Sequence, residues 1–150
     1  MRREKLADLA LQFLGYPAIL YKNPDYGKDE TGFDCSGFVH FLLKKMKFPE
    51  IEKWRHVNEM FDGLGVLIHP EFSSKGDLVF FSRDGVVPRH IGIMVSESHY
   101  IHSPGVNFSY VRIDEIKKSE IPYKNAQIYG HNPIGFKRLA IKKGRYKYLL

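Results

Sequence analysis

The chain has one cysteine among 150 residues, so no disulfide can close within it. The mark of a small disulfide-stapled domain is therefore missing, although this alone assigns no compartment. No stretch approaches the roughly 18 consecutive apolar residues that a membrane-crossing helix needs. The opening "MRREKLADLALQFLG" carries charges through its apolar pattern and reads as no secretory signal. Cytoplasmic, phage-associated or non-standard exported settings fit this, as does a piece of a longer protein. There is no short paired Cys/His spacing of the zinc-binding kind, so neither a metal nor a cofactor is expected. Repeats, low-complexity tracts and linkers are also lacking, and residues 1–150 read as a single domain.

What is present is ordinary for a globular chain: 43% apolar and 27% charged residues, a balance that excludes disorder. The formal charge of +6 points to an anionic partner. Basic residues are scattered except in the tail "FKRLAIKKGRYKYLL", which reads as a solvated face plus a last strand.

Two helices open the chain. Leu6, Leu9, Ala10, Phe13 and Leu14 follow helical spacing until Gly15 and Pro17 end it. Residues 16–33, rich in Gly, Pro, Asn and Asp, read as a loop carrying Tyr16, Tyr21 and Tyr26. A second helix starts near Cys35, with Phe38, Val39, Leu42, Leu43 and Met46 as its stripe, Lys44, Lys45 and Lys47 near its end, and Pro49 as the stop. "EKWRHVNEMFDGLG" reads as a short helix followed by loop. The period then changes from 3.6 to 2, and "GDLVFF", "HIGIMV", "YIHS", "FSYVRI" and "IGFKRLAI" predict an antiparallel sheet of about five or six strands. Helices followed by strands make an α+β domain, with the helices packed on the sheet.

The lone cysteine sits in "GFDCSGFVHFLL", at the first turn of the second helix. Unpaired N–H groups and the positive dipole end there favour a thiolate, and the same donors suit a developing oxyanion. A thiolate nucleophile needs an imidazole partner, and among seven histidines His90 and His102 are the most informative, because they lie on consecutive predicted strands. If Ser96, Glu97 and Ser98 form the turn, Val95 faces His99 and His102 faces Gly92. His90 and His102 are then diagonal neighbours on one sheet face, roughly 7–8 Å apart between Cα atoms, and Gly92 leaves room for the His102 ring. A four-residue turn would separate them. In the catalytic reading His90 is the base and His102 orients it; in the plain one Cys35 is a small buried hydrophobe and both histidines are structural.

"GFDCSGFV", "GDLVFF", "RHIGIMV" and "YIHSPG", in that order and with the two histidines twelve residues apart, resemble the NlpC/P60 family of papain-like cysteine peptidases. The resemblance runs from about Leu14 to Ile113 and returns weakly at "NPIGFKR". It implies a nucleophile-bearing helix on an antiparallel sheet and hydrolysis of peptidoglycan stem peptides, commonly after γ-D-glutamate. Cys35 would be the nucleophile, His90 the general base and His102 the third polar residue, with Asp34 and Ser36 lining the substrate site. A tyrosine ahead of the cysteine would serve the oxyanion; the family's Tyr-Gly-Gly element is replaced by "LYKNPDYG", which leaves Tyr21 first and Tyr26 second. The partner would be a stem peptide, with anionic wall polymer on the basic tail, no specific nucleic acid and no membrane span. A thiol-dependent acyltransferase or amidase on a lipid or other amide is the second reading. A non-enzymatic basic module binding wall polymer or nucleic acid is the third.

Overall fold

A computed structural model of the chain describes residues 1–105, 108–116 and 133–150. Helix α1 spans Glu4–Leu11 and buries Leu6, Ala7 and Ala10 completely. It ends before the full apolar pattern does. Gly15 turns the chain at a φ of +85°, which a side chain would resist, and Val111 holds this corner through main-chain bonds with Gly15 and Tyr16. Phe13 is still buried, but Leu14 is 45% exposed and does not belong to the core stripe.

The segment read as loop contains three two-residue strands: β1 (Pro17–Ala18), β2 (Lys28–Asp29) and β3 (Gly32–Phe33). They form a small sheet with β8 (Ser109–Tyr110), with β1 and β3 parallel. Helix α2 follows at Cys35–Lys45. Phe38, Val39, Leu42 and Leu43 are buried on α1 and the sheet, while Lys44 and Lys45 occupy the last turn. A 3₁₀ turn at Ile51–Lys53 leads to α3 (Val57–Gly63), whose start is secured by His56 N–H donating to Glu59 Oε1 at 2.9 Å.

Among the described residues the main sheet has six strands, every neighbouring pair antiparallel: β4 (Val66–Ile68), β10 (Gly135–Arg138), β5 (Leu78–Phe81), β6 (His90–Met94), β7 (His99–His102) and β9 (Arg112–Glu115), in that spatial order. The α+β expectation holds, with six strands in the sheet. The β6–β7 register pairs Ile93 with Ile101 and Met94 with Tyr100, as the three-residue turn requires. Val95 N–H donates to His99 O at 2.9 Å, and Ser96 Oγ takes the N–H of Ser98 and His99.

Two strands differ from their expected course. "FSYVRI" divides at Val111, because that residue is pinned to Tyr16: β8 joins the small sheet and β9 the large one. "IGFKRLAI" divides at the buried Leu139, after which β11 (Ala140–Lys143) pairs with β12 (Tyr146–Leu149) as a separate hairpin. Of the basic tail, Phe136–Arg138 thus belong to β10 of the main sheet, and Ala140–Lys143 with Tyr146–Leu149 form a two-stranded ribbon. The core lies between the helices and one sheet face, where Leu78, Phe80, Ile91, Ile93 and Ile101 meet α1 and α2.

Candidate active site

The site is assembled at the start of α2. Asp34 has extended backbone and caps the helix, its carboxylate accepting the Gly37 N–H at 2.6 Å. Its own N–H donates to Gly27 O at 2.8 Å. A Cβ on Gly37 would stand 1.9 Å from that carbonyl, so only glycine lets the loop close on the helix here. Arg55 locks the arrangement from the far side. Its guanidinium holds Asp34 Oδ2 at 2.7 Å and Oδ1 at 3.1 Å, and donates to Ser36 Oγ at 3.0 Å, Pro24 O at 2.8 Å and Tyr26 O.

This geometry separates the residues that were expected together. Asp34 borders a cleft of ≈440 Å³ that also contains Cys35, His90 and Tyr21. Ser36 is buried against Arg55 and is not part of the cleft lining. Tyr21 reaches the cleft, its ring 5.6 Å from the His56 ring, whereas Tyr26 is 54% exposed and outside the lining.

Cys35 opens α2, and the Ser36 and Ile91 main-chain N–H groups point at its thiol. Even so, burial and the adjacent Asp34 carboxylate push the thiol up to about 12, outweighing those donors and the Arg55 charge. The shift runs opposite to the one expected of a helix start, first because the sulfur is buried and second because the residue that caps the helix is negatively charged. A thiol so placed would need a base to act as a nucleophile.

His90, next to Ile91, is 3% exposed, and burial followed by the neighbouring His102 holds its ring well below the usual 6.5. Both effects favour the neutral imidazole. His90 Nε2 lies 2.7 Å from His102 Nδ1, and His102 Nε2 lies 2.6 Å from Asp114 Oδ2. Arg112 Nε donates to that same oxygen at 2.7 Å. Asp114 falls to about 2, chiefly through its bond from His102. Burial lowers His102, and Asp114 opposes that shift.

The proton order along this chain follows from what each group can do. An ionised carboxylate only accepts, so His102 carries its proton on Nε2 and presents a lone pair at Nδ1. His90 must then donate from Nε2, which places the lone pair on its Nδ1. That is the tautomer a general base requires. The space opposite His102 has another tenant than expected: a Cβ on Gly92 would meet the Tyr100 ring at 2.7 Å, so the glycine accommodates Tyr100.

Sequence reading missed Asp114 and Arg55. A signal for Asp114 existed: β9 pairs with β7 so that Tyr100 faces Asp114 and His102 faces Arg112, making Asp114 a diagonal neighbour of His102. Arg55 pairs with Asp34 across 21 residues, over the whole of α2 and the 3₁₀ turn, and no periodicity points to it.

A family model described as the NlpC/P60 family matches residues 24–127. The chain is 33% identical over 106 residues to the gamma-D-glutamyl-L-lysine dipeptidyl-peptidase of Bacillus cereus (strain ATCC 10987 / NRS 248), covering 67% of this chain and 28% of that protein. It is 37% identical over 79 residues to the murein DD-endopeptidase MepH of Escherichia coli (strain K12), covering 49% of this chain and 27% of that one. The chain thus spans little more than a quarter of these relatives' length. A solved NlpC/P60 family protein from Bacillus cereus ATCC 10987 superposes with a TM-score of 0.73 at 28% identity, over 93% of this chain and 40% of that chain.

Proposed function

The chain belongs to the NlpC/P60 family, and we propose that it is a cysteine peptidase that hydrolyses peptidoglycan stem peptides. The observation that carries this reading is the placement of Cys35 and His90 in one cleft, with His90 backed by His102 at 2.7 Å. His90 Nδ1 takes the Cys35 proton as the sulfur attacks the amide carbonyl. Because neither the thiolate nor the imidazolium is favoured alone, transfer is coupled to attack and the two charges offset each other.

The tetrahedral oxyanion is stabilised by the Cys35 N–H at the start of α2 and by the Tyr21 hydroxyl. Protonated His90 then gives its proton to the leaving amine, and a thioester remains on Cys35. Water, deprotonated by His90, attacks the thioester, releasing a carboxylate and restoring the thiol. His102 and Asp114 hold His90 in its basic tautomer throughout. The scissile bond we propose is the one after γ-D-glutamate, supported by the likeness to a relative named for γ-D-glutamyl-L-lysine.

The test is incubation of the protein and its Cys35→Ala variant with purified sacculi and soluble stem peptides, with products identified by mass spectrometry. Fragments ending in γ-D-glutamate are expected, and only from the unaltered protein. Failure to cleave either substrate sinks the reading.

A further inference from the structure

The turn that joins β5 to β6 delivers two arginines to the cleft. Arg83 and Arg89 flank it, both exposed, and both line the same space as Cys35 and His90. Their mount is firm: the Arg89 N–H donates to Phe81 O at 2.8 Å, extending the β5–β6 ladder to the edge of the cleft. Neither is among the arginines that form ion pairs in the described residues, which are Arg2, Arg3, Arg55, Arg112 and Arg138.

The anions nearby are already engaged. Asp84, between the two arginines and itself lining the cleft, accepts from Val86 N–H at 2.8 Å, Val87 N–H at 2.9 Å and Ser82 Oγ at 2.7 Å, all through Oδ1, which ties that oxygen to its own turn. Asp34 is matched by Arg55 at 2.7 Å. Two guanidinium groups thus line the cleft that holds Cys35, and among the described residues no carboxylate forms an ion pair with either. Guanidinium groups bind carboxylates in a planar, two-pronged geometry that lysine cannot reproduce.

The geometry points to Arg83 and Arg89 as specificity residues that bind a free carboxylate beside the scissile amide, selecting acidic stem peptides over amidated ones. This rests on the peptidase reading. In a stem peptide the carboxylate has two sources: the α-carboxylate of γ-D-glutamate, or a second carboxylate on the diamino acid that follows.

Three synthetic peptides with amide-capped C-termini separate the possibilities. The first pairs L-Ala-γ-D-glutamate with L-lysine, the second L-Ala-D-isoglutamine with L-lysine, and the third L-Ala-D-isoglutamine with meso-diaminopimelate. The carboxylate-free second peptide should show a kcat/KM roughly 10- to 100-fold below at least one of the others, the size of a charged hydrogen-bonded contact. Preference for the first assigns the glutamyl carboxylate, and preference for the third assigns the diamino acid. Arg83→Gln combined with Arg89→Gln should erase the ratio, with the favoured peptide losing far more of its kcat/KM than the second. Equal cleavage of all three, or a ratio that survives the double substitution, overturns the inference alone. Cleavage of none overturns the peptidase reading and this inference with it.

Discussion

His102 Nε2 stands 2.6 Å from Asp114 Oδ2, and through that contact a partly buried carboxylate on β9 sets the proton positions of two buried histidines. Asp114→Asn removes the obligate acceptor. The amide can donate to His102 Nε2, allowing the alternative tautomer in which His102 Nδ1 donates to His90 Nε2 and the proton moves to His90 Nδ1. The base would then be blocked. We expect kcat to fall at least about tenfold with KM little changed, and Asp114→Glu to recover part of the loss. An Asp114→Asn enzyme with unaltered kcat would remove Asp114 from the mechanism.

Cys35 supplies a test that needs no substrate. With the thiol raised to about 12, alkylation by iodoacetamide should be slow at neutral pH and climb steadily through pH 10. A plateau of fast alkylation already present near pH 7 would show that a thiolate–imidazolium pair exists at rest. Cys35→Ser and His90→Ala should each abolish turnover while the far-ultraviolet circular dichroism stays native.

The pH dependence has a definite direction. Burial depresses His90 and His102 below the ordinary 6.5, so the unfolded chain binds more protons in that range. Stability from their neutral burial is complete above about pH 6.5 and declines as pH falls below it. Asp114, lowered to about 2, adds stability that is present above the usual 3.8 and lost as pH falls towards 2. Urea midpoints at pH 7.5, 5.5 and 4 should decrease in that order. The acid limb of kcat/KM should lie below 6.5, since activity needs neutral His90. An acid limb above 7 would contradict this account of the base.

The parts of the site that were legible came from short-range rules. Helical spacing placed Cys35 at a helix start, and a three-residue turn at Ser96–Ser98 fixed the register that brings His90 and His102 to one face. Period-2 patterning found the strands but not where they change partners, because Val111 and Leu139 are held by distant main-chain contacts. The larger cause of the thiol shift, burial, is set by tertiary packing and lies outside local sequence rules, whereas the smaller one, Asp34, adjoins Cys35 in the sequence. Arg55 was beyond reach, being defined by a loop, a helix cap and a 3₁₀ turn meeting in space.

Arg55 carries the sharpest stability prediction, because both members of its pair with Asp34 are nearly dry, with side chains 9% and 2% exposed. Removing one partner leaves the other charged and buried, which costs about 3–5 kcal/mol in comparable pairs. Arg55→Ala should therefore lower the urea midpoint strongly, and Arg55→Lys should recover little, since one ammonium cannot reach Asp34, Ser36, Pro24 O and Tyr26 O together. The double variant Arg55→Ala with Asp34→Asn is the informative control. It removes the stranded charge, so it should be more stable than Arg55→Ala alone, yet Cys35 should still be misplaced because the loop at Tyr26 has lost its anchor. Recovered stability with turnover still lost would show that Arg55 positions the nucleophile as well as stabilising the fold. Full recovery of turnover would confine its role to neutralising Asp34.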